Sequence, residues 1–534
     1  MKYPITETDK NLLLQSSMDY KYRLLILNDA GNILDSLTGV SQIGSYSVDS
    51  QSDIRRTCSF VLLLDNYYRT ASIEKKLFSW IGCHFKLQIG IYSLKEDEYH
   101  WYDCGYYLIT EANTSYNVTD NSLNVDLSDW YSRLNGLRNG QIGGAPTIQI
   151  PNLDGDGNPV TLKQVVENLL RAETPLTDLI VDDIGEAMGM PANNPDYASY
   201  RATNPLWNQL PYDLEFNVGC TIEEILSEVR ELYPNCQMYF DIYGNFCFNQ
   251  IPSCEHDPLT LRDSYLQQIL LAEETENNTY NVEDIKNITE VFGASYDVDR
   301  FASTCTLADN VYSLTLADYD TYATGDFIAF TPDTTNALET KIRINALDVL
   351  PLYRDNTNDY IDTALLEAGK TYVFQIRYKD SAYVAYYLGQ YQPHALCVLT
   401  GNAEDSYYTK AYFAARYNCS ENNVTLRVEP DSPFTVQKIG EVLDVKTGDT
   451  FDNILSDSVA TENAVYYNKQ SSSVHDTVTI STKMIPFLDI NTKIEYRKQQ
   501  ETQVHSYIIS RIENNTDSAT SKITMYRFYP LYNA

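Results

Sequence analysis

The sequence predicts a mainly β protein with α+β parts, and three observations lead to this prediction. Its 534 residues are too many for one hydrophobic core, so three or four domains are expected. Short apolar runs bounded by Gly, Pro, Asn and Asp recur along the chain, which is the pattern of antiparallel strands. The 44 tyrosines suit strands and protein–protein contacts.

The first predicted domain, 18–135, is an antiparallel β-barrel or sandwich that follows a polar arm at 1–17. A single helix is predicted at 67–80. Strands are predicted from period-two patterns and flanking turn residues. These predicted strands are 22–28, 33–37, 58–64, 85–92, 106–111 and 122–127.

The second predicted domain, 155–275, is a small α/β domain. Two helices are expected where a Thr precedes a Gln or Glu by three residues, because such a pair forms a capping box. The capping pairs are Thr161 with Gln164 and Thr221 with Glu224. Two short apolar runs around Gly244 then predict a hairpin packed under the second helix.

The third predicted domain is a β module at 301–424, inserted into a closing antiparallel domain formed by 280–300 with 425–534. The module is rich in Tyr, Thr and Ala and has almost no helix signal. One helix is predicted at 451–467. The best predicted strands of this half are 286–292, 326–330, 341–345, 371–378, 477–480, 493–496, 506–512 and 521–528.

Charge and cysteine usage restrict the partners and the compartment. The net charge of −34 argues against binding to a phosphate backbone, but it is compatible with DNA that slides past an acidic wall. The ten cysteines form no C-x-x-C pair, so we expect buried free thiols. There is no signal peptide and no run of about 18 apolar residues, so we predict synthesis in a cytosol and no membrane span.

Motifs for catalysis or metal binding find little support. The stretch 154–158 resembles the start of a calcium loop, but Pro159 and Val165 occupy the positions that need Gly and Glu, so a turn is expected. Neighbouring Cys and His residues lack zinc-site spacing, and no hydrolase or P-loop motif occurs. We therefore predict no catalytic residue, no cofactor and no metal site.

Six stretches in order along the chain resemble the baseplate or tail-tip hub proteins of long-tailed bacteriophages, especially those of Gram-positive hosts. Each is strand and turn sequence, and the ordered series carries the resemblance. The stretches are 53–60 (DIRRTCSF), 218–249, 285–293 (IKNITEVFG), 433–440 (PFTVQKIG), 485–496 (IPFLDINTKIEY) and 525–532 (MYRFYPLY).

The resemblance implies a trimeric ring in the virion, made in the host bacterial cytoplasm. Each subunit would supply two tube-like β-barrels, 18–135 and 280–300 with 425–534. The six barrels would match a hexameric tail tube, or distal tail proteins, to threefold spike, fibre or receptor-binding proteins. Viral DNA would pass through the lumen without specific binding. The resemblance transfers no catalytic residue.

Two alternatives stay open beside a structural hub. The 301–424 module could bind host-surface carbohydrate through exposed aromatic residues, with Tyr383, Tyr386, Tyr387 and Tyr391 as candidate contacts. These tyrosines could equally be strand or interface residues. An enzyme that trims the cell wall is disfavoured by the missing motifs.

Overall fold

The computed structural model is mainly β with α+β parts, as the sequence predicts, and the described strands form five sheets. It describes residues 5–28, 30–37, 42–63, 80–116, 121–144, 147–155, 157–182, 209–210, 212–232, 236–252, 254, 259–271, 276–281, 283–295, 298, 300–354, 358–379, 381–473 and 475–527.

The N-terminal segment opens with helix α1 (Glu7–Leu13), where the sequence predicted a polar arm. Thr6 and Asp9 form a capping box that starts the helix, and Leu12 and Leu13 are buried. The predicted strands of this segment are confirmed, while the helix predicted at 67–80 lies outside the described residues except at its last position. The strands are β1 (Tyr20–Leu27), β2 (Ile33–Leu37), β3 (Gln42–Asp49), β4 (Arg56–Leu63), β5 (His84–Ser93), β6 (Glu98–Tyr116) and β7 (Asn121–Asp129).

The α/β unit follows, and both of its predicted capping boxes are present. The Thr161 hydroxyl accepts from the Gln164 amide at 3.2 Å, and the Thr221 hydroxyl accepts from the Glu224 amide at 3.1 Å. The predicted hairpin is also confirmed, because its two strands pair in antiparallel register. The elements are β8 (Thr147–Ile150), α2 (Leu162–Glu173), β9 (Leu179–Val181), β10 (Leu214–Asn217), α3 (Ile222–Glu231), β11 (Cys236–Phe240) and β12 (Phe246–Gln250).

The next elements follow the α/β unit in sequence, and two of them pack into the apolar core of the N-terminal strands. They are β13 (Leu259–Leu261), α4 (Asp263–Ile269) and β14 (Asn277–Asn281). Leu261, Leu266 and Ile269 are buried in the same apolar cluster as α1 and β1. Strand β13 and helix α4, which lie within the predicted 155–275 domain, are therefore buried in a different core from its other elements.

An eight-stranded sheet with its own apolar core forms the β module. Its strand order is β16-β19-β22-β23-β21-β20-β18-β17, which places the buried Phe330 and Phe374 side by side. The strands are β16 (Arg300–Phe301), β17 (Thr304–Ala308), β18 (Val311–Thr315), β19 (Phe327–Phe330), β20 (Lys341–Ile344), β21 (Leu350–Arg354), β22 (Tyr372–Lys379) and β23 (Ala382–Gln390).

A second α/β unit surrounds the module in sequence. Its four-stranded sheet has the order β25-β24-β15-β26, so the strand before the module pairs with the strand after it. The eight-stranded sheet of the module thus ends at Gln390, whereas the predicted module extends to 424. The elements are β15 (Ile288–Phe292), β24 (His394–Thr400), α5 (Lys410–Tyr417), β25 (Val424–Val428), α6 (Val436–Ile439), β26 (Leu443–Lys446) and α7 (Asp457–Ser471).

The two ends of the chain meet in one sheet of thirteen strands. The last strands are β27 (His475–Lys483), β28 (Lys493–Tyr496), β29 (His505–Asn515) and β30 (Thr520–Tyr526). The sheet runs β14-β27-β30-β29-β3-β4-β7-β6-β5-β1-β2, with β28 and β13 branching from β29. Pairing of Arg511 with Asp49 and of Ile512 with Val48 joins the C-terminal strands to the N-terminal ones. Strands β27 to β30 of the second predicted barrel therefore share one hydrogen-bonded sheet with the strands of the first. Strands β15 and β26, which were assigned to the second barrel, lie in the four-stranded sheet instead.

All ten cysteines are free thiols, and eight of them are buried, as the sequence predicted. Among the described residues no helix has the length and apolarity needed to cross a membrane.

Candidate functional site

A buried polar cluster joins the two ends of the chain. Arg56 is 1% exposed, and its Nη2 donates to both carboxylate oxygens of Asp489 at 2.8 and 2.7 Å. Asp129, which ends β7, accepts the backbone amides of Arg55 at 3.1 Å and Arg56 at 3.0 Å. The start of β4 is therefore held by the end of β7 through its backbone and by the segment before β28 through the Arg56 side chain.

The same cluster includes the first α/β unit. The Arg55 guanidinium donates from Nη1 to Gln237 Oε1 at 2.8 Å and lies 4.7 Å from the centroid of the Tyr239 ring. Asn491 donates its side-chain amide to the same Gln237 oxygen. Gln237 lies on β11, so three parts of the fold meet at this cluster, which we name the Arg56 joint after the Arg56–Asp489 pair.

Burial and pairing set the charges in the Arg56 joint. Burial raises the pKa of Asp129 to about 6, although the amides of Arg56 and Tyr131 oppose the shift. Burial alone would lower the pKa of Arg56, but Asp489 holds it above its ordinary value. Burial lowers the pKa of Arg55. The Arg56 guanidinium therefore stays protonated at neutral pH.

A second buried joint holds the second α/β unit together. Asn287 is 0% exposed, and its Nδ2 donates to the carbonyls of Phe434 at 3.0 Å and Gly440 at 2.7 Å. Its Oδ1 accepts the amide of Val442 at 2.8 Å. One side chain thus satisfies three backbone groups of the segment that leads into β26.

Five of the six stretches that carry the sequence resemblance contribute residues to these two joints. The first, second and fifth stretches supply Arg56, Gln237 and Asp489, and the third and fourth supply Asn287 and Phe434. No pairing of the adjacent arginines was predicted from the sequence. Their position just before a predicted strand could have indicated such a pairing, because an arginine that becomes buried requires a partner.

The four tyrosines predicted as carbohydrate contacts lie on or beside β23. Tyr386 is only 2% exposed, and the Arg377 guanidinium lies 4.8 Å from its ring centroid. Tyr387 is half-buried, with its ring centroid 6.1 Å from that of Tyr372. Both rings pack within the β module.

The other two predicted tyrosines are also half-buried. The ring of Tyr383 lies 5.0 Å from that of Tyr378, and the ring of Tyr391 contacts Phe301 edge-on at 5.2 Å. The structure therefore does not gather the four rings on one open surface, and their contact with carbohydrate stays a prediction.

A cleft of about 820 Å³ lies where the β module meets both α/β units. Tyr387 lines it, together with the acidic side chains of Glu228 and Asp457. Burial and the neighbouring Glu231 raise the pKa of Glu228 to about 7. Burial also raises the pKa of Asp457 to about 6. The cleft therefore gains negative charge as the pH rises from 6 to 7.

Potential metal ligands come together at one place in the part of the chain that the structure describes. Glu96, Glu98 and His100 lie at the turn between β5 and β6, where His100 Nε2 and Glu96 Oε2 are 2.5 Å apart. The stretch that resembles a calcium loop contains a tight turn, in which the Gly157 amide donates to the Asp154 carbonyl at 3.0 Å. Neither group of residues by itself indicates a bound metal, because exposed acidic groups are common without one.

Comparison with known proteins gives one family-model match and several similar solved structures. Residues 431–532 match the family model of a domain of unknown function, DUF5048, and no curated protein matches the chain. The 43 kDa tail protein of prophage MuSo2 from Shewanella oneidensis is 10% identical with a TM-score of 0.44, and the match covers 95% of this chain and 98% of that one. A tail protein from Neisseria meningitidis MC58 is 7% identical with a TM-score of 0.43, covering 96% of this chain and 98% of that one. The prophage tail protein gp18 from Listeria monocytogenes EGD-e is 9% identical with a TM-score of 0.41, covering 95% of this chain and 94% of that one. All three are described as tail proteins.

Proposed function

We propose that this chain is a structural protein of a phage virion, a trimeric hub in the baseplate or tail tip. The observation that carries the proposal is that five of the six resembling stretches contribute residues to the Arg56 joint or to the contacts of Asn287. Side chains from these stretches fix parts of this subunit to one another. A structural role explains such a distribution, whereas an enzyme would gather polar groups in an open site.

The thirteen-stranded sheet supports two barrel-like halves in each subunit. One half comprises β1 to β7 and the other comprises β27 to β30, and the pairing of β29 with β3 connects them. Three subunits would present six such halves. This number matches a hexameric tail tube or distal tail protein on one side and threefold spike, fibre or receptor-binding proteins on the other.

The acidic composition supports a channel through which DNA passes without specific binding. Each subunit carries a net charge of −34, and like charges keep a polyanion away from the wall. The lumen-facing residues would therefore need no base-reading or phosphate-binding side chains. In this proposal the protein is made in the host bacterial cytoplasm, acts in the virion and catalyses no reaction.

Light scattering of the purified protein at several concentrations tests the proposal. We expect a mass of about three times 60.9 kDa, alone or after addition of its tail-tube partner, and a ring in electron micrographs. A protein that stays monomeric at every concentration and with every neighbouring tail protein would contradict the hub.

A further inference from the structure

An aromatic cluster extends from the core of the second α/β unit to its surface. The buried Phe413 lies 5.7 Å from Tyr408 and 6.4 Å from Tyr417, measured between ring centroids. Tyr407 lies 4.9 Å from Tyr408 and 4.8 Å from Tyr412. Tyr407 is 61% exposed, so the cluster ends in an open ring, and we name these five residues the Tyr407 platform.

Hydrogen bonds hold the rings of the platform from the helix side. Glu441 accepts from the hydroxyls of Tyr412 at 2.7 Å and Tyr417 at 3.0 Å, and from Arg416 Nε at 2.5 Å. Because their hydroxyls are engaged, these rings are fixed before any ligand arrives. Fixed aromatic rings bind a partner at a small cost in conformational entropy.

The loop that carries Tyr407 is held in the same way. Asp405 Oδ1 accepts the backbone amides of Tyr407 at 2.8 Å and Tyr408 at 2.9 Å, and these bonds lower the pKa of its carboxyl. Gln437 Nε2 donates to Asp405 Oδ2 at 3.2 Å and to Thr400 Oγ1 at 2.7 Å. The Gln437 amide is fully engaged, because its Oε1 also accepts the Gly401 amide at 2.9 Å. The backbone of Tyr407 is thus held beside the Asp405 carboxylate.

The surroundings of the platform favour a small, uncharged partner with many hydroxyl groups. The other exposed residues of the loop and the helix start are short or polar, such as Ala403, Glu404 and Lys410. A stable protein interface needs roughly 800 Å² on each side, with apolar anchors around the central ring. One exposed ring flanked by hydrogen-bonding groups instead suits the apolar face and the hydroxyls of a sugar.

We propose that the Tyr407 platform binds a neutral saccharide, with a sugar ring stacked on Tyr407 and a sugar hydroxyl donating to the Asp405 carboxylate. The net charge of −34 and the adjacent carboxylates disfavour phosphate-bearing polymers. This inference goes beyond the hub proposal. It places carbohydrate binding on a surface of the second α/β unit, away from the tyrosines of β23.

Saturation-transfer NMR with soluble tetrasaccharides of N-acetylglucosamine, glucose, galactose and rhamnose tests the inference. We expect at least one of these to bind, with transfer concentrated on one face of a sugar ring. Tyr407→Ala should weaken that binding about tenfold, the loss expected for one aromatic stacking contact. Tyr407→Phe, which keeps the ring, should retain binding within about twofold.

Tyr378→Ala is the matched control, because Tyr378 is 57% exposed on the β module. It should leave saccharide binding unchanged. The inference is overturned if no tetrasaccharide binds at up to about 10 mM, if the control weakens binding as much as Tyr407→Ala, or if polyglycerol phosphate binds more tightly than the neutral sugars. Tyr407→Ala should keep the mass found by light scattering, so failure here is distinguishable from failure of the hub.

Discussion

Arg56 and Asp489 are separated by 433 positions in the sequence and form a pair with 1% and 11% of their side chains exposed. Removing both charges from water is costly, and the two hydrogen bonds from Arg56 Nη2 offset part of that cost only while both partners are present. The pair therefore adds more to the correct matching of the chain's two ends than to net stability.

Replacing Arg56 with Met should destabilise the joined sheet by about 3–5 kcal/mol, because it leaves the Asp489 carboxylate buried without a partner. The double variant Arg56→Met with Asp489→Leu should recover most of this loss, since it removes the stranded charge as well. Urea unfolding followed by near-ultraviolet circular dichroism provides the measurement.

The exposed Arg354–Asp362 pair supplies the control, with side chains 50% and 66% exposed. Arg354→Met should change stability by less than about 1 kcal/mol. Equal effects of Arg56→Met and Arg354→Met would refute the role given to the Arg56 joint.

At the scale of elements, Gly293 follows β15 and lies against the segment that precedes α7. A Cβ atom at this position would lie 2.0 Å from the carbonyl oxygen of Ile454, which is a backbone atom and cannot rotate away. The glycine lets the end of the strand approach this turn closely, and so sets how α7 lies on the four-stranded sheet.

Gly293→Ala should therefore destabilise the second α/β unit by about 1–3 kcal/mol, the range for forced backbone shifts in a packed region. Gly401→Ala serves as the control, because the nearest atom to its added Cβ is 3.6 Å away. Thermal unfolding of both variants tests this expectation. A Gly293→Ala protein as stable as Gly401→Ala would rule out the close contact.

At the scale of the whole molecule, the net negative charge affects how subunits associate. Subunits that each carry −34 repel one another, and this repulsion opposes any ring they form. Apolar burial at the contacts must exceed this cost, and salt reduces it by screening.

Assembly should therefore strengthen with ionic strength. Between about 0.01 M and about 0.15 M salt, the screening length falls from roughly 30 to 8 Å, so the trimer fraction at fixed protein concentration should rise. Sedimentation velocity at both salt concentrations measures this fraction. A trimer that dissociates on addition of salt would show that ion pairs, and not apolar contacts, hold the ring.

Several elements follow from residues that are close in sequence. The capping boxes at Thr161 and Thr221 and the hairpin around Gly244 were predicted correctly because each signal lies within a few residues. Helix α5 was missed, since its tyrosines favour strands in a local reading. Its Thr409 cap and the buried Phe413 outweigh that preference in the folded chain.

The sequence by itself determined the mainly β class, about half of the described strands, the helices capped by Thr161 and Thr221, and the resemblance to tail proteins. Only the tertiary structure decided that β29 pairs with β3, that β15 pairs with β24 across the module, and that Arg56 binds Asp489. Local propensity acts over neighbouring residues, whereas pairing between distant strands depends on register and burial that form only when the whole chain packs.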